Sequence, residues 1–274
     1  MSTRKTAPIV LKLGGELLEK PEDLARVAEG ITALAKQVPV VVVHGGGREI
    51  DAALAAAGIS KVQVDGLRVT DLPTLEIVVT VLAGTLNTRL VSAVRRAGGR
   101  PVGLTGADAD VVVTKPAAPF KASSGATISL GFVGTPTGTS EPRLLTTLLK
   151  QGYVPVVACV GATKKGDLLN VNADTLAQHL AVSLRARRLV IAGGTSGVFD
   201  GTGATIPVLT SASASRLIRQ GTANAGMVAK LQACRSALRG GVADVLIVNG
   251  RLVPFGTLAA RTLAGALAGT QVVA

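Results

Sequence analysis

The chain has 274 residues, 47% of them hydrophobic, with two cysteines and a formal charge of +12. A length of this order folds as one large α/β domain or as two lobes sharing a sheet, and buries enough surface to need no disulfide staples. Two scattered histidines and two scattered cysteines offer no metal-ligand spacing, and four Phe, one Tyr and no Trp make a poor base-stacking platform. A zinc centre and a nucleic-acid reader are both disfavoured.

The opening "MSTRKTAPIVLKLGG" carries charge and a short apolar run broken by Lys12, without a signal-peptide core or cleavage site. Uninterrupted apolar runs stay far below the roughly 20 residues of a membrane span. The expectation is a soluble, cytoplasmic protein whose Cys159 and Cys234 are buried free thiols, with the dispersed positive charge mostly a solvated surface that also draws in anions.

Short apolar runs alternate with amphipathic, alanine-rich stretches, the signature of βαβ units around a largely parallel sheet. Strands are predicted at Ile9–Leu13, Val38–His44, Pro101–Leu104, Tyr153–Val160, Leu189–Ala192 and Asp244–Asn249. Helices are predicted at Pro21–Lys36, Arg48–Ala57, Pro73–Ala97, Pro142–Gln151, Ala173–Ala186 and Asn224–Arg239. The stretch Pro73–Ala97 has more apolar residues than one packed face needs, which points to a subunit interface. Between Gly106 and Gly134, Pro, Ser and Gly separate short β-prone pieces, a pattern of hairpins that can form a lid. A soft boundary near Gly161–Gly166 divides the chain into lobes 1–163 and 164–274.

Two glycine-rich turns follow predicted strands, "LKLGGE" and "VVVHGGGRE". In an α/β sheet ligands sit outside the carboxyl ends of strands, and glycines there let backbone N–H groups approach a phosphate. Neither turn fits the dinucleotide fingerprint, and no P-loop is present. One glycine in such a turn has an ordinary conformational explanation, but three in succession suggest space kept clear for a ligand. Lys12, inside an apolar strand, is costly unless an anion meets it or the strand is an edge. Arg68 in "GLRVTD" can grip a carboxylate with its fork. Asn170, Asn172 and Asp174 in "NVNAD" read as helix caps or as site groups, and Lys230 in "GMVAK" as a helix-surface lysine or a second cation.

Together "KLGG", "HGGG", "GLRVTD", "NVNAD" and "GMVAK", in this order, resemble the amino acid kinase family, and the resemblance covers essentially the whole chain. It implies an open three-layer α/β/α sandwich with a mainly parallel central sheet and a hairpin lid. The amino-terminal lobe would bind an acyl amino acid and carry a homodimer interface, and the carboxyl-terminal lobe would bind ATP. The motifs are nearest to family members that phosphorylate N-acetyl-L-glutamate. On that reading Lys12 and Lys230 stabilise the transferring phosphoryl group and Asp174 orients both. Gly46 and Gly47 present N–H groups, and Arg68 and Asn170 hold the acceptor. Gly194, Thr195, Ser196, Gly197, Val198 and Phe199, with Thr222, Ala223 and Asn224, bind ATP, whose Mg²⁺ arrives with the nucleotide and needs no dedicated protein site.

One position departs from the pattern. The family's ATP-side loop carries an aspartate where "VIAGGTSGVFD" has Gly194, leaving Asp200, Thr195 or Ser196 to compensate. With few residues ahead of Lys12, an arginine-insensitive homodimer is expected rather than a hexamer. The alternatives are an N-acetyl-aminoadipate kinase, whose substrate is one methylene longer, or a catalytically silent nucleotide-binding or metabolite-binding member of the fold.

Overall fold

A computed structural model describes residues 7–122, 124–138, 140, 142–220, 225–260 and 268–274. The first half runs β1 (Ile9–Leu13), α1 (Pro21–Ala35), β2 (Val40–His44), α2 (Gly47–Ala56), β3 (Gln63–Val64), β4 (Leu67–Arg68), α3 (Leu72–Val79), α4 (Asn87–Arg96) and β5 (Pro101–Thr105). Next come β6 (Thr114–Pro116), β7 (Phe120–Lys121), β8 (Thr127–Ile128), β9 (Val133–Pro136), α5 (Arg143–Lys150), β10 (Val154–Ala158), β11 (Val160–Ala162) and β12 (Leu168–Val171). The chain closes with α6 (Ala173–Ser183), β13 (Arg188–Gly193), β14 (Val208–Thr210), α7 (Ser211–Arg219), α8 (Ala225–Arg239), β15 (Asp244–Asn249) and β16 (Gly269–Val273).

Eight strands make one sheet in the order β14-β16-β15-β13-β1-β2-β10-β5. Every pairing described in it is parallel except β15 with β16. Because strands buried on both faces need apolar residues at every position, β1, β2, β10 and β13 are recognisable as continuous runs. Alternate residues serve two cores. Ile9, Leu11, Val40, Val42 and Val190 pack with Ile31 and Leu34 of α1 and Leu90 of α4. Val10, Val41, Val43, Leu189 and Ile191 pack on the opposite face with Leu54, Leu176 and Leu180 from α2 and α6 and Leu231 of α8. The result is the three-layer sandwich. There is also a second sheet, β11-β12-β9-β6, and two hairpins, β3–β4 and β7–β8. Of these only β6, β7, β8 and the start of β9 fall in the Gly106–Gly134 segment expected to form hairpins, and β3, β4, β11 and β12 lie outside it.

Three departures have physical reasons. The predicted helix Pro73–Ala97 is α3 and α4 joined by a π-helical turn over Thr80–Leu86, and this widened turn precedes a buried Asn87. As one helix, Leu72–Arg96 reaches a mean hydropathy of 1.6 and is long and apolar enough to cross a membrane by length and composition alone, which counting uninterrupted runs overlooked. Its Val78, Leu82 and Leu86 are nevertheless spent in one core and its Leu90 and Val94 in the other. The elements β14, α7 and β16 were not expected: β14 has three residues, and "SASASRLIR" has only Leu217 and Ile218 as large apolar residues.

Candidate functional site

β1 lies between β13 and β2, so Lys12 is not on an edge strand. Only 7% of the residue is exposed. The anion that meets it is Asp174, at the start of α6, with Nζ 2.9 Å from Oδ1. Burial is the largest influence on Lys12 and favours its neutral form, yet the charge of Asp174 and its hydrogen bond, with help from Glu16, prevail and raise its pKa above 10.5. A carboxylate oxygen has more than one lone pair, so Oδ1 keeps capacity for another donor besides Lys12. Asn172 caps α6 by accepting from the N–H groups of Asp174 (2.9 Å) and Thr175 (3.1 Å), which fixes where Asp174 starts its helix.

The three glycines after β2 do three different things. A Cβ on Gly46 would fall 2.1 Å from Leu86 Cδ1, so this glycine admits the long helix. A Cβ on Gly45 would touch Ala173 at 3.4 Å. Gly47 faces open space and is the first residue of α2, whose leading N–H groups have no acceptor within the helix. All three line the cavity that Arg68 and Asn170 also line, but packing against Leu86 by itself accounts for the missing Cβ at Gly46, and of the three only Gly47 has nothing within 4 Å of a Cβ. His44 anchors this turn. Its Nδ1 is 3.1 Å from Gly45 O and its Nε2 is 3.1 Å from Asn87 Nδ2, which also donates to Val156 O at 2.9 Å. Burial pushes the His44 pKa down to about 4, so the ring is neutral, with Nδ1–H donating to Gly45.

Gly46, Gly47, Arg68 and Asn170 all line one cavity of about 210 Å³, together with Gln63, Leu130, Val133, Cys159 and Ala173. That is below the roughly 300–1,000 Å³ of pockets for drug-sized ligands, and suits a small metabolite. Arg68 donates through Nη2 to Gly47 O at 3.3 Å and forms an ion pair with Asp51 of α2. Its Nη1 is buried with no acceptor among the described residues, a donor that calls for an anion. Lys61 clamps the other oxygen of Asp51 at 2.6 Å, and the two cations hold the Asp51 carboxyl below its usual range against the opposing effect of burial. Asn170 Nδ2 donates to Thr70 Oγ1 at 3.2 Å. The Lys12–Asp174 pair adjoins this cavity: Ala173 precedes Asp174, and Cys159, also in the wall, lies in the fields of both partners. Burial pushes the Cys159 thiol up to about 12, so it is inert, and its Sγ–H donates to His44 O. A larger cavity, about 410 Å³ between α1 and residues 250–257, holds none of the predicted site residues.

On the other side of β1, the loop after β13 is held by Asn249, whose Nδ2 donates to Gly194 O and Ser196 Oγ, both at 3.3 Å. Val198 is buried in the core, so its side chain is structural, whereas Thr195 and Phe199 are exposed. Gly197 has φ 103° and would bring a Cβ 2.4 Å from Thr270 Oγ1, a position only glycine fills comfortably. Asp200 does not replace the acid expected at 194. Its Oδ1 accepts from Thr202 N, Thr202 Oγ1 and Ala204 N in its own turn. The group that meets Gly194 is Glu16, whose Oε1 accepts from Gly194 N–H at 2.8 Å. Sequence reasoning passed over Glu16, although a glutamate directly after "KLGG" was visible. Lys230 donates to Gly226 O of its own helix at 3.4 Å. It lies one turn before Cys234, which is within the fields of both Asp174 and Lys230. Thr222, Ala223 and Asn224 lie outside the described residues.

Residues 7–249 match the model of the amino acid kinase family. The acetylglutamate kinase of Dinoroseobacter shibae is 39% identical over 247 residues, covering 89% of this chain and 82% of that protein. The acetylglutamate kinase of Desulforamulus reducens is 39% identical over 249 residues, with 89% and 84% covered. Among solved structures, N-acetylglutamate synthase of Neisseria gonorrhoeae, in complex with coenzyme A and N-acetyl-glutamate, superposes with a TM-score of 0.81 at 24% identity. That match covers 98% of this chain and 59% of the synthase. Carbamate kinase of Giardia lamblia bound to AMP-PNP gives 0.70 at 15% identity over 98% of each chain. At these identities the two structures bear on the fold alone.

Proposed function

The chain belongs to the amino acid kinase family, and from that premise we propose that it transfers the γ-phosphoryl group of ATP to the side-chain carboxylate of N-acetyl-L-glutamate. The product is N-acetyl-L-glutamyl 5-phosphate, an intermediate of arginine biosynthesis, and the acetylglutamate kinases at 39% identity support that assignment. The observation that carries it is one small cavity gathering Gly47, Arg68 and Asn170 beside a buried Lys12–Asp174 pair. Arg68, with Nη1 unspent, takes the α-carboxylate of the acceptor, and Asn170 contributes a second polar contact. The attacking carboxylate is ionised at neutral pH and requires no general base. What opposes reaction is repulsion between the carboxylate and the polyphosphate, and catalysis of such transfers rests on positioning and electrostatics. Lys12 supplies positive charge, fixed by Asp174, and the open N–H groups at the start of α2 meet the migrating phosphoryl group. Lys230 contributes the second cation from α8, a helix that packs on the one bearing Asp174.

The nucleotide belongs on the carboxyl-terminal side, along residues 194–199, with the division at 163 and 164 separating the acyl amino acid lobe from the ATP lobe. Mg²⁺ arrives with ATP and neutralises phosphate charge. A homodimer built on the Leu72–Arg96 helix, working in the cytoplasm without nucleic acid or membrane as partner, completes the proposal.

ADP release from Mg-ATP tests it, with N-acetylglutamate, N-acetyl-aminoadipate and no acceptor in parallel. Turnover with N-acetylglutamate that falls about 10²–10³-fold in Lys12→Ala supports the assignment, the size expected for one lost charge-stabilising contact. Preference for the longer acid would move the protein to that substrate, and silence with both would overturn the kinase reading.

A further inference from the structure

Glu16 stands where the two halves of the main sheet meet, at the carboxyl ends of the neighbouring strands β1 and β13. Three glycines make its socket. A Cβ on Gly14 would lie 2.4 Å from Glu16 Oε2, one on Gly193 3.0 Å from Oε1, and one on Gly194 3.4 Å from Cγ. Oε1 accepts from Gly194 N–H at 2.8 Å, while Oε2 has no hydrogen-bond partner among the described residues. Arg251 steadies the backbone beneath it, donating from Nη2 to Glu16 O at 2.8 Å and from Nε to Asp23 Oδ2 at 2.9 Å. The carboxylate lies in the field of Lys12. Of the other acids of the region, Asp174 pairs with Lys12 and Asp200 accepts within its own turn. Glu49, beside Gly15 and Gly46, has neither oxygen hydrogen-bonded among the described residues and is pushed by burial toward its neutral form.

A carboxylate fixed beside a polyphosphate site repels the nucleotide unless a cation lies between them. Mg²⁺ is commonly held in that way, by one or two carboxylates together with substrate phosphates. We propose that Glu16 is the residue through which this chain meets the divalent cation of its nucleotide, supplying across the sheet the carboxylate that Gly194 lacks. The inference rests on the kinase reading, but concerns nucleotide binding rather than turnover. It makes Glu16 a nucleotide-side residue delivered by the amino-terminal half of the chain.

A purely structural role for Glu16 would be to accept the Gly194 N–H, and Glu16→Gln preserves that acceptor while removing the charge. The test is calorimetric titration of ADP, with and without Mg²⁺, into the unmodified protein, Glu16→Gln, and the double variant Glu16→Ala/Gly194→Asp, each checked for an unchanged melting profile. In the unmodified protein Mg²⁺ should tighten ADP binding about tenfold, within the usual range of ligand coupling. In Glu16→Gln that factor should shrink to less than about twofold, with metal-free ADP bound as well as before or better. The double variant should regain the Mg²⁺ effect, because the Cβ of an aspartate at 194 lies 3.4 Å from Glu16 Cγ, whose space the variant vacates, and 3.4 Å from Arg251 Nη1, which steadies the new carboxylate. Gly194 is not among the glycines with positive φ. A full Mg²⁺ effect in Glu16→Gln overturns the proposal while leaving the kinase reading intact. Failure of the unmodified protein to bind ADP in either condition overturns both.

Discussion

Asp174→Asn is the perturbation whose size the structure fixes best. Lys12 and Asp174 are paired at 2.9 Å with side chains only 9% and 8% exposed. Arg48 and Glu19 are paired at 3.0 Å with 75% and 27% exposed, so distance is nearly constant and burial is the variable. Losing one partner of a buried pair costs about 3–5 kcal/mol because the survivor is left charged and dry. Losing an exposed pair costs about 0–1 kcal/mol. Against a total stability of roughly 5–15 kcal/mol the first is a large fraction. Urea unfolding of Asp174→Asn, Lys12→Met, the combined variant and Arg48→Ala should give two large single losses, a combined loss smaller than their sum, and a small loss for Arg48→Ala. The pH dependence carries an independent sign. In the intact protein the Lys12 pKa is raised above 10.5, so its contribution is fully present below 10.5 and is lost only as pH rises through the higher folded value. In Asp174→Asn the largest influence, burial, is no longer opposed by the carboxylate, so the folded pKa drops below 10.5. Stability should then climb with pH up to 10.5, where the intact protein gains nothing from Lys12. An Asp174→Asn variant within about 1 kcal/mol of the intact protein and flat from pH 8 to 10 would refute the reasoning, since that is how a solvated pair behaves.

The glycines of the second turn should separate packing from chemistry. Gly46→Ala drives a methyl into Leu86 and should lose about 1–3 kcal/mol by overpacking, partly restored by Leu86→Val. Gly47→Ala should melt within about 0.5 kcal/mol of the intact protein yet lower turnover, and melting curves beside ADP-release assays check both. His44 sets an acid limit. Its folded pKa of about 4 lies below the ordinary imidazole value of 6.5, so its contribution is complete above pH 6.5 and is lost as pH falls toward 4, about 3 kcal/mol in all. His44→Asn should remove that slope from unfolding midpoints between pH 6.5 and 4.

The central strands could be read from the sequence because a parallel strand covered on both faces has no polar positions to spare, and the same logic made Lys12 conspicuous. β1 through β13 therefore announced the sheet and, in β1, a cation buried at its centre. The π-helical turn at Thr80–Leu86 could not be read, since a short apolar helical pattern looks alike whether its backbone hydrogen bonds span four residues or five. Neither could β14 and α7, which depend on tertiary neighbours rather than on their own periodicity. Gly46 misled for a related reason: a missing Cβ has the same appearance in sequence whether the space is meant for a ligand or for Leu86.

The least legible group is the one at the nucleotide side. The loop "AGGTSGVFD" poses a local question, a missing acid, and invites a local answer from Thr195, Ser196 or Asp200. The structure answers from 178 residues away, where Glu16 bonds Gly194. The contact exists because β1 and β13 are neighbours in the sheet while lying far apart in the chain, so their exit turns come side by side. Gly14, Gly193 and Gly194 then read as one socket from two turns rather than as separate conformational glycines. A carboxylate moved across such a joint leaves no trace in the spacing of either motif. It also bears on the joint: β1 carries Lys12 and leads directly into Glu16, so under the proposed mechanism a shift of β1 against β13 would move both charges together.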